Sequence, residues 1–577
     1  MDTSAAVPFH RTLEQLALLA MIRGAAAEDS LYRSALRLVR ADQIDTDDHL
    51  DRLISAPPPD ADPEVLKRLR QMYEAGSWVL LESAIADLPA DLRWLFEAGA
   101  VTIEQLGLLF RALECTTRAD LAAAIDNGQI REMKVLSAEA EEAVAQALPS
   151  LRAAIPRIPL GKATAIVDPM LEVLRSLPGT AWALPTGSLR RGQDTVGDLE
   201  LLASTTRPAE AVEALLEQNA GSRVLLRSAR KLYLLLDRIQ VGARFPEPAN
   251  AAADLIYLTG SERHFQNLRG RATEYGWRLD AHGMSRSDGT LASMASESEI
   301  YSALGLPYIP PEIRDADGEI DAASRGELPD LVSQGDIQGD LHMHSLWSDG
   351  RDSIEEMVRS ARALRYRYMA ITDHSPHSAA NRNLTADGVR KQADEIAHLR
   401  EQFPDIAILH GCEVDILPDG RLDFSDEILQ RFDIVLASLH ERAGQSEDQL
   451  MTRYLAAMNH PLVVMITHPT NRMLPHRPGY PLDYEKLFEH AVLTRTIVEI
   501  DGSPSHLDLD GALARRAIAA GCQLAIDSDC HRSDMLERQM RLGVLTARRG
   551  WVEPRHVINT RGIDEVRETI ARKRAGR

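Results

Sequence analysis

The sequence predicts a multidomain chain with an all-α front, an α+β middle and a (β/α) barrel at the C-terminal end. Three observations carry this. Residues 1 to about 150 are rich in Ala, Leu and Arg, with apolar positions recurring near every 3.6 residues and few β-branched runs. From about Thr164 the pattern changes to strand-like runs such as Asp198-Leu199-Glu200-Leu201-Leu202-Ala203, alternating acidic and apolar residues as a strand with one wet face does. Beyond residue 337, short apolar strands alternate with helical segments, each strand followed by polar residues able to do chemistry.

Taken in order, the front divides at Ser55-Ala56-Pro57-Pro58-Pro59-Asp60, a helix-breaking run. The run Leu16 to Ile22 follows Glu14 and lacks a basic leader, so it reads as a packed helix and not as an export signal. In the middle, Ala181-Trp182-Ala183-Leu184-Pro185 precedes a glycine-punctuated turn, and Arg223 to Leu236 and Arg238 to Val241 continue strand-like, which predicts an antiparallel sheet. Pro307 to Ile337, rich in proline, acid and glycine, reads as an extended connector. The barrel strands are Tyr368 to Ile371, Ile406 to Leu409, Ile434 to Ala437, Leu462 to Ile466, Ile497 to Ile500 and Gln523 to Ile526. The expected domains are therefore 1–150, 151–325 and 326–577.

With 577 residues there is material for several cores, and 44% hydrophobic with 26% charged residues is ordinary for a soluble protein. A formal net charge of −21 argues against a generally nucleic-acid-binding surface, though not against a local basic groove. Four cysteines, Cys115, Cys412, Cys522 and Cys530, are too few for a disulfide framework and suit a reducing, cytoplasmic setting. No segment approaches membrane-spanning length.

The chemistry concentrates in the last domain. In Asp340-Leu341-His342-Met343-His344 two imidazoles one residue apart project to one side of a strand and can share a divalent metal. Further candidates end later strands: Thr372-Asp373-His374, His410-Gly411-Cys412-Glu413-Val414-Asp415, Ser438-Leu439-His440, Thr467-His468-Pro469 and Asp527-Ser528-Asp529-Cys530-His531. Any one of these has an ordinary structural explanation. Together, after successive strands of a barrel, they would meet at one mouth.

These residues resemble the polymerase-and-histidinol-phosphatase (PHP) phosphoesterases, whose members are similar to distorted (β/α)7 barrels with a trinuclear metal centre. The resemblance implies ligands at His342, His344, Asp349, His374, Glu413, His440, His468, Asp529 and His531. It groups His342, His344, Glu413 and Asp529 on one metal, Glu413, His440 and His468 on a second, and Asp349, His374 and His531 on a third. Mixed nitrogen and oxygen ligands suit manganese, zinc or iron. Asp373, Asp415 and Asp527 are expected to orient ligating histidines, Asp373 as part of the catalytic set, and Arg472 to contact phosphate.

The front half carries a second resemblance. Thr186-Gly187-Ser188-Leu189-Arg190-Arg191-Gly192 with Val196-Gly197-Asp198-Leu199-Glu200 looks like the nucleotidyltransferase motif of family X DNA polymerases, which implies a palm and thumb over 151–325. Gly187, Ser188 and Arg191 would approach a triphosphate, and Asp198 and Glu200 would hold Mg²⁺. Three departures weaken that site. Glu200 replaces an aspartate, Gly242 stands where the family has its third carboxylate, and the helix-hairpin-helix glycines are lost at Ala56–Asp62 and Glu97–Val101. Lys67 lies near the family's lyase region but reads as a solvated helix lysine. Thr546 to Trp551 also matches the family, with no chemistry assigned.

The combined resemblance implies a PolX-like protein of DNA repair: a metal-dependent phosphoesterase acting as a 3′–5′ exonuclease on gapped or 3′-ended DNA, with polymerase activity lost. The alternatives are a gap-filling polymerase with an Asp/Glu site, a small-molecule phosphatase, and a DNA-binding scaffold with a structural metal.

Overall fold

The computed structural model describes residues 9–576, apart from 23–24, 42–46, 60, 76–83, 86–87, 134–135, 155–156, 282, 287, 379, 381 and 442–443. It forms two compact units: Met1–Pro156, Met170–Leu184 and Gly197–Ala251 make the first, and Arg157–Pro169, Pro185–Val196 and Ala252–Arg577 the second.

The first unit begins with helices, among them Phe9–Ile22, Ala26–Ala41, Asp47–Ser55, Pro63–Ala75, Ala90–Glu97, Ile103–Arg111, Arg118–Asp126 and Ala138–Ala154. Leu13, Leu16 and Leu19 on the first helix recur every three residues and share one core with Leu69, Leu92, Leu95, Leu106 and Leu109. The helix pair around Glu97–Val101 turns at Gly99, whose φ is 70°. The next helix then caps itself: Thr102 Oγ1 accepts from Gln105 N at 3.2 Å and Gln105 Oε1 from Thr102 N at 2.9 Å. That capping box uses an amide which a phosphate would otherwise engage. At the other eroded hairpin, between Asp47–Ser55 and Pro63–Ala75, Asp60 lies outside the described residues. Lys67 is exposed and paired with Glu64 at 3.4 Å.

A five-stranded sheet completes this unit: β1 (Thr180–Pro185), β2 (Leu199–Thr205), β3 (Arg223–Arg227), β4 (Lys231–Leu236) and β5 (Ile239–Arg244), in the order β1-β2-β5-β4-β3. The sequence predicts an antiparallel sheet. The structure has a mixed one, because the helix Pro208–Gln218 carries the chain over the sheet after β2, and the β3-β4-β5 meander returns β5 parallel to β2. In that register Glu200 lies opposite Gly242, and Gly242 opposite Tyr233.

In the second unit, helices Glu262–Glu274 and Glu297–Ala303 and a three-stranded sheet enclose a core of Phe265, Leu268, Ile300, Tyr301, Leu304, Ile309 and Ile313. Pro307–Ile337 is not the extended connector the composition suggests. It contains the helix Glu319–Arg325 and buries Glu312, Ile313, Arg314 and Glu319, because Arg314 is bonded inside the core to Glu297 at 2.7 Å.

The barrel follows as seven parallel strands in sequential order: β6 (Gly339–Asp340), β7 (Tyr368–Ile371), β8 (Ala407–Asp415), β9 (Ile434–Ser438), β10 (Val463–Ile466), β11 (Ile497–Asp501) and β12 (Leu524–Asp527). Strands buried on both faces read as continuous apolar runs, as Tyr368-Met369-Ala370-Ile371 and Val463-Val464-Met465-Ile466 do. A parallel bridge from Met343 to Cys530, just beyond β6 and β12, joins the first and last strands at their carboxyl ends. Leu341, Ala370, Leu436, Met465 and Ala525 fill the interior, with Val566 and Ile570 of the helix Ile563–Arg574 packed on the same core.

Candidate metal centre

Six of the seven strands send donors to the carboxyl end of the barrel. His342 and His344 follow β6, and Asp349 lies on the loop beyond them. His374 follows β7, Glu413 lies within β8, His440 follows β9, His468 follows β10, and Asp529 and His531 follow β12. The loop carrying Asp349 folds flat on the His344 strand, which only a glycine allows at position 350: a Cβ there would meet Ser345 N at 2.6 Å. His468 and Asp529 are themselves held at positive φ, 25° and 50°, an uncommon backbone for residues with side chains and one that clusters at functional sites.

The nine residues predicted as ligands come together around Glu413. Its Oε1 lies 2.8 Å from His468 Nε2 and 3.6 Å from His440 Nε2. Its Oε2 lies 3.5 Å from His342 Nε2, 3.7 Å from His344 Nε2 and 2.8 Å from His374 Nδ1. Asp529 Oδ1 sits 3.1 Å from His344 Nε2 and 3.7 Å from His342 Nε2. Asp349 Oδ1 sits 3.2 Å from His531 Nε2 and 3.5 Å from His374 Nε2. Donor atoms converge in three sets: His342, His344 and Asp529; His374, Glu413 and His440; and His344, Asp349, His374 and His531. This partition differs in detail from the expected grouping, since His344 and His374 each fall in two sets.

The donor set fits cations. Glu413 Oε2 is fully buried and accepts no hydrogen bond, its 2.8 Å approach to His374 being off line. The Nε2 atoms of His342 and His344 face each other at 3.1 Å, and both are aimed at Asp529. Buried oxygens and lone pairs aimed at common points are costly unless a cation or proton joins them. Protons are drawn in accordingly. Against the opposing push of burial, His440, His342 and His374 hold the Glu413 carboxyl well below the usual range. Burial likewise opposes the rise at His468, yet Glu413 lifts that imidazole to about 10, and Asp529 and Asp349 lift His531 to about 9.

A second layer sets the ring orientations. His440 Nδ1 donates to Asp415 at 3.0 Å. His342 Nδ1 donates to Glu499 Oε1 at 2.6 Å, and Glu499 Oε2 accepts from the His468 backbone N–H at 2.6 Å. Glu499 thus ties two candidate ligands together, and sequence reasoning missed it. Its signal was present in β11, where Glu499 and Asp501, two apart on an apolar strand, share the inward face.

Three expected residues sit differently. Asp373 bonds to no imidazole; it accepts from Ser345 N at 2.8 Å, Ser345 Oγ at 2.7 Å, Ser348 Oγ and Gln392 Nε2 at 2.6 Å, and so holds the loop between His344 and Asp349. Asp527 accepts from Leu341 N at 2.7 Å across the barrel seam. Arg472 is buried, its guanidinium bonded to Asp194 at 2.7 Å and to the carbonyls of His506 and Leu507, which leaves no fork for phosphate. Arg549 holds the same Asp194 at 3.0 Å, so part of the Thr546–Trp551 segment serves to dock the Gly192–Asp194 turn. His410 faces Gln392 at 3.0 Å, away from Glu413.

The palm-like residues are arranged differently from a metal site. Glu200 accepts from both Arg244 Nε and Tyr233 OH, and Arg244 extends to Asp120, with Nη2 at 3.0 Å from Oδ2. The Tyr233 ring fills the space beside Gly242, where an added Cβ would lie 2.4 Å from its Cε1. Asp198 is half-buried. In the other unit, Gly187 opens a short helix at φ 59°, Ser188 O accepts from Gln193 N at 2.9 Å, and Arg191 is bonded to Thr259 O and to Asp315 at 3.2 Å.

Comparison with known proteins agrees with both halves. Residues 254–315 match the DNA polymerase beta thumb family and residues 340–471 the PHP domain family. The chain is 34% identical over 508 residues to the DNA polymerase/3′-5′ exonuclease PolX of Bacillus subtilis (strain 168), covering 87% of this chain and 89% of that one. It is 33% identical over 168 residues to a probable phosphatase of Syntrophotalea carbinolica, covering 28% of this chain and 65% of that protein. A probable phosphatase of Thermoanaerobacter sp. (strain X514) is 31% identical over 205 residues, covering 34% and 79%. With a relative so similar over nearly its whole length and a PHP domain at the observed barrel, the chain belongs to the bacterial PolX family, polymerase-X-like proteins that carry a PHP phosphoesterase domain.

Proposed function

We propose that this protein is a metal-dependent phosphoesterase that removes nucleotides from DNA 3′ ends, in cytoplasmic DNA repair, and that its palm no longer polymerises. The convergence of nine imidazole and carboxylate side chains on the buried Glu413 carries the first half of this reading. Three ions, of manganese, zinc or iron, held by His342, His344, Asp349, His374, Glu413, His440, His468, Asp529 and His531, would supply an activated water near neutral pH and neutralise phosphoryl charge. Around them, Glu499 and Asp415 fix the faces that His342 and His440 present, and Asp373 keeps Asp349 in range of His374 and His531. DNA as substrate is supported by the polymerase-type thumb and by the PolX relative.

The second half rests on Arg244. Its guanidinium occupies Glu200, the carboxylate a catalytic Mg²⁺ would need, and Gly242 offers no replacement ligand. Purified protein with Mn²⁺ should shorten 3′-labelled DNA, and His342→Ala should abolish this; persistence of the activity in that variant would remove the assignment. Primer extension with a single dNTP and Mg²⁺ should give no product. The probable phosphatases matched over the barrel support a second reading, turnover of small phosphomonoesters, which p-nitrophenyl phosphate would reveal.

A further inference from the structure

Resting on the DNA-end reading, we propose that Arg477 and the hollow beside His440 form the site that receives the terminal nucleotide, with Arg477 gripping its phosphodiester. The hollow has a volume of about 770 Å³ and is lined by His440, Glu441, Arg477, Pro478, Tyr480 and Pro481. One wall is therefore a candidate ligand of the metal centre, and proline and tyrosine faces suited to a sugar and base form others, while Glu441, which pairs with His377 at 3.7 Å, also lines the hollow. It opens beside the chemistry, not behind it.

Arg477 is presented rigidly. It closes a tight hairpin with Met473, the two backbones exchanging hydrogen bonds at 2.7 and 2.8 Å. Its Nε donates to Asn471 O at 3.1 Å and its Nη2 to Asn471 Oδ1 at 2.7 Å. Asn471 in turn donates to the Leu439 and His440 carbonyls at 2.8 and 3.2 Å and contacts Tyr480 OH at 2.6 Å. Leu474 N donates to Ser505 O at 2.8 Å, tying the hairpin to the loop after β11. The guanidinium is thus anchored, through Asn471, to the backbone of a candidate metal ligand, while its remaining nitrogen, Nη1, makes no hydrogen bond among the described residues. Its charge also bears on His506, whose ring stacks on His468 at 5.5 Å between centroids. Arg472, the arginine expected for this task, is consumed by Asp194; Arg477, five residues on, is held through Nε and Nη2 by Asn471 and keeps Nη1 for an anion.

Three proteins test this: wild type, Arg477→Ala and Pro478→Trp, the last filling the hollow from an exposed position. Each is loaded with Mn²⁺, assayed for bound metal, and given a 3′-labelled oligonucleotide and bis(p-nitrophenyl) phosphate. Both variants should raise KM for the oligonucleotide at least about tenfold, as expected for loss of a charge-assisted contact or of the cavity. Metal content and kcat should stay within about twofold of wild type on both substrates, while KM for the small diester should rise with Arg477→Ala, which removes the phosphodiester contact, and not with Pro478→Trp. Unchanged KM in both variants while wild type degrades the oligonucleotide overturns the nucleotide site alone. A fall in kcat on both substrates with KM unchanged, or loss of metal, assigns Arg477 a structural role and also overturns it. A wild type that cleaves the small ester but no oligonucleotide overturns the DNA reading and this site with it.

Discussion

At the scale of single residues, Glu499 is the most consequential side chain outside the ligand set. It orients His342 through Nδ1 and holds the His468 amide, both at 2.6 Å. Glu499→Gln keeps the shape but removes the charge that supports the imidazole, so metal affinity should fall about 10- to 100-fold, with activity recovered at high Mn²⁺. A metal titration of activity checks this, and an unaltered midpoint would count against it. Gly242 argues in the opposite direction. Restoring the family's carboxylate with Gly242→Asp should not restore polymerisation, because the Tyr233 ring is already there. Overpacking of this kind costs about 1–3 kcal/mol, and a second carboxylate beside buried Glu200 adds to it. The expected result is a lower melting temperature and no primer extension; extension gained at unchanged stability would refute the argument. The absence at 242 was legible in the sequence. Tyr233 and Arg244 as the groups that took over the space were not, since they come from strand register and not from any motif.

At the scale of elements, what could be read depended on whether the signal was local. Barrel strands announced themselves as apolar runs, and the candidate ligands as polar residues at their ends. The closure of the barrel by Met343 and Cys530, and the inward carboxylates of β11, depend on which strands are neighbours. Pro307–Ile337 misled for the same reason: its composition is that of a linker, but Arg314 and Glu297 join across the thumb core. Glu297 is held by Arg190 at 2.6 Å and Arg314 at 2.7 Å. Burial pushes its carboxyl upward, yet Arg314 and Arg190 together bring it down to about 2 from 4.5. A depressed carboxyl contributes stability that is whole above its unfolded value and is lost as pH falls. Glu297 should therefore add on the order of 3 kcal/mol above pH 5, fading between about pH 4.5 and 2. Glu297→Gln should flatten the acid limb of the stability curve in that window. An unchanged difference between wild type and variant from pH 6 to pH 2.5 would show that the cluster is not the cause.

At the scale of the whole molecule, the two clusters of acidic side chains differ in what faces them. In the barrel, carboxylates and imidazoles face one another with buried atoms left unbonded, an arrangement fitted to cations from solution. In the five-stranded sheet, the cation is already part of the chain, since Arg244 joins Glu200 to Asp120. A bound ligand stabilises only what it contacts, by about 2.7 kcal/mol at a hundred times its dissociation constant, and local stability is read out by amide exchange. Mn²⁺ added to chelator-stripped protein should therefore slow exchange in residues 339–344, 411–415, 467–472, 497–501 and 526–531. Neither Mn²⁺ nor Mg²⁺ should alter residues 198–205 and 239–244, because an ion there would have to displace a buried guanidinium from its carboxylates, at a desolvation cost of several kcal/mol. Arg244→Ala supplies the converse: Glu200 loses its guanidinium while keeping the Tyr233 hydroxyl, and Mg²⁺ should now protect 198–205. Protection of the wild-type sheet by Mg²⁺ alone would mean that its carboxylates still hold metal and that Arg244 yields to it.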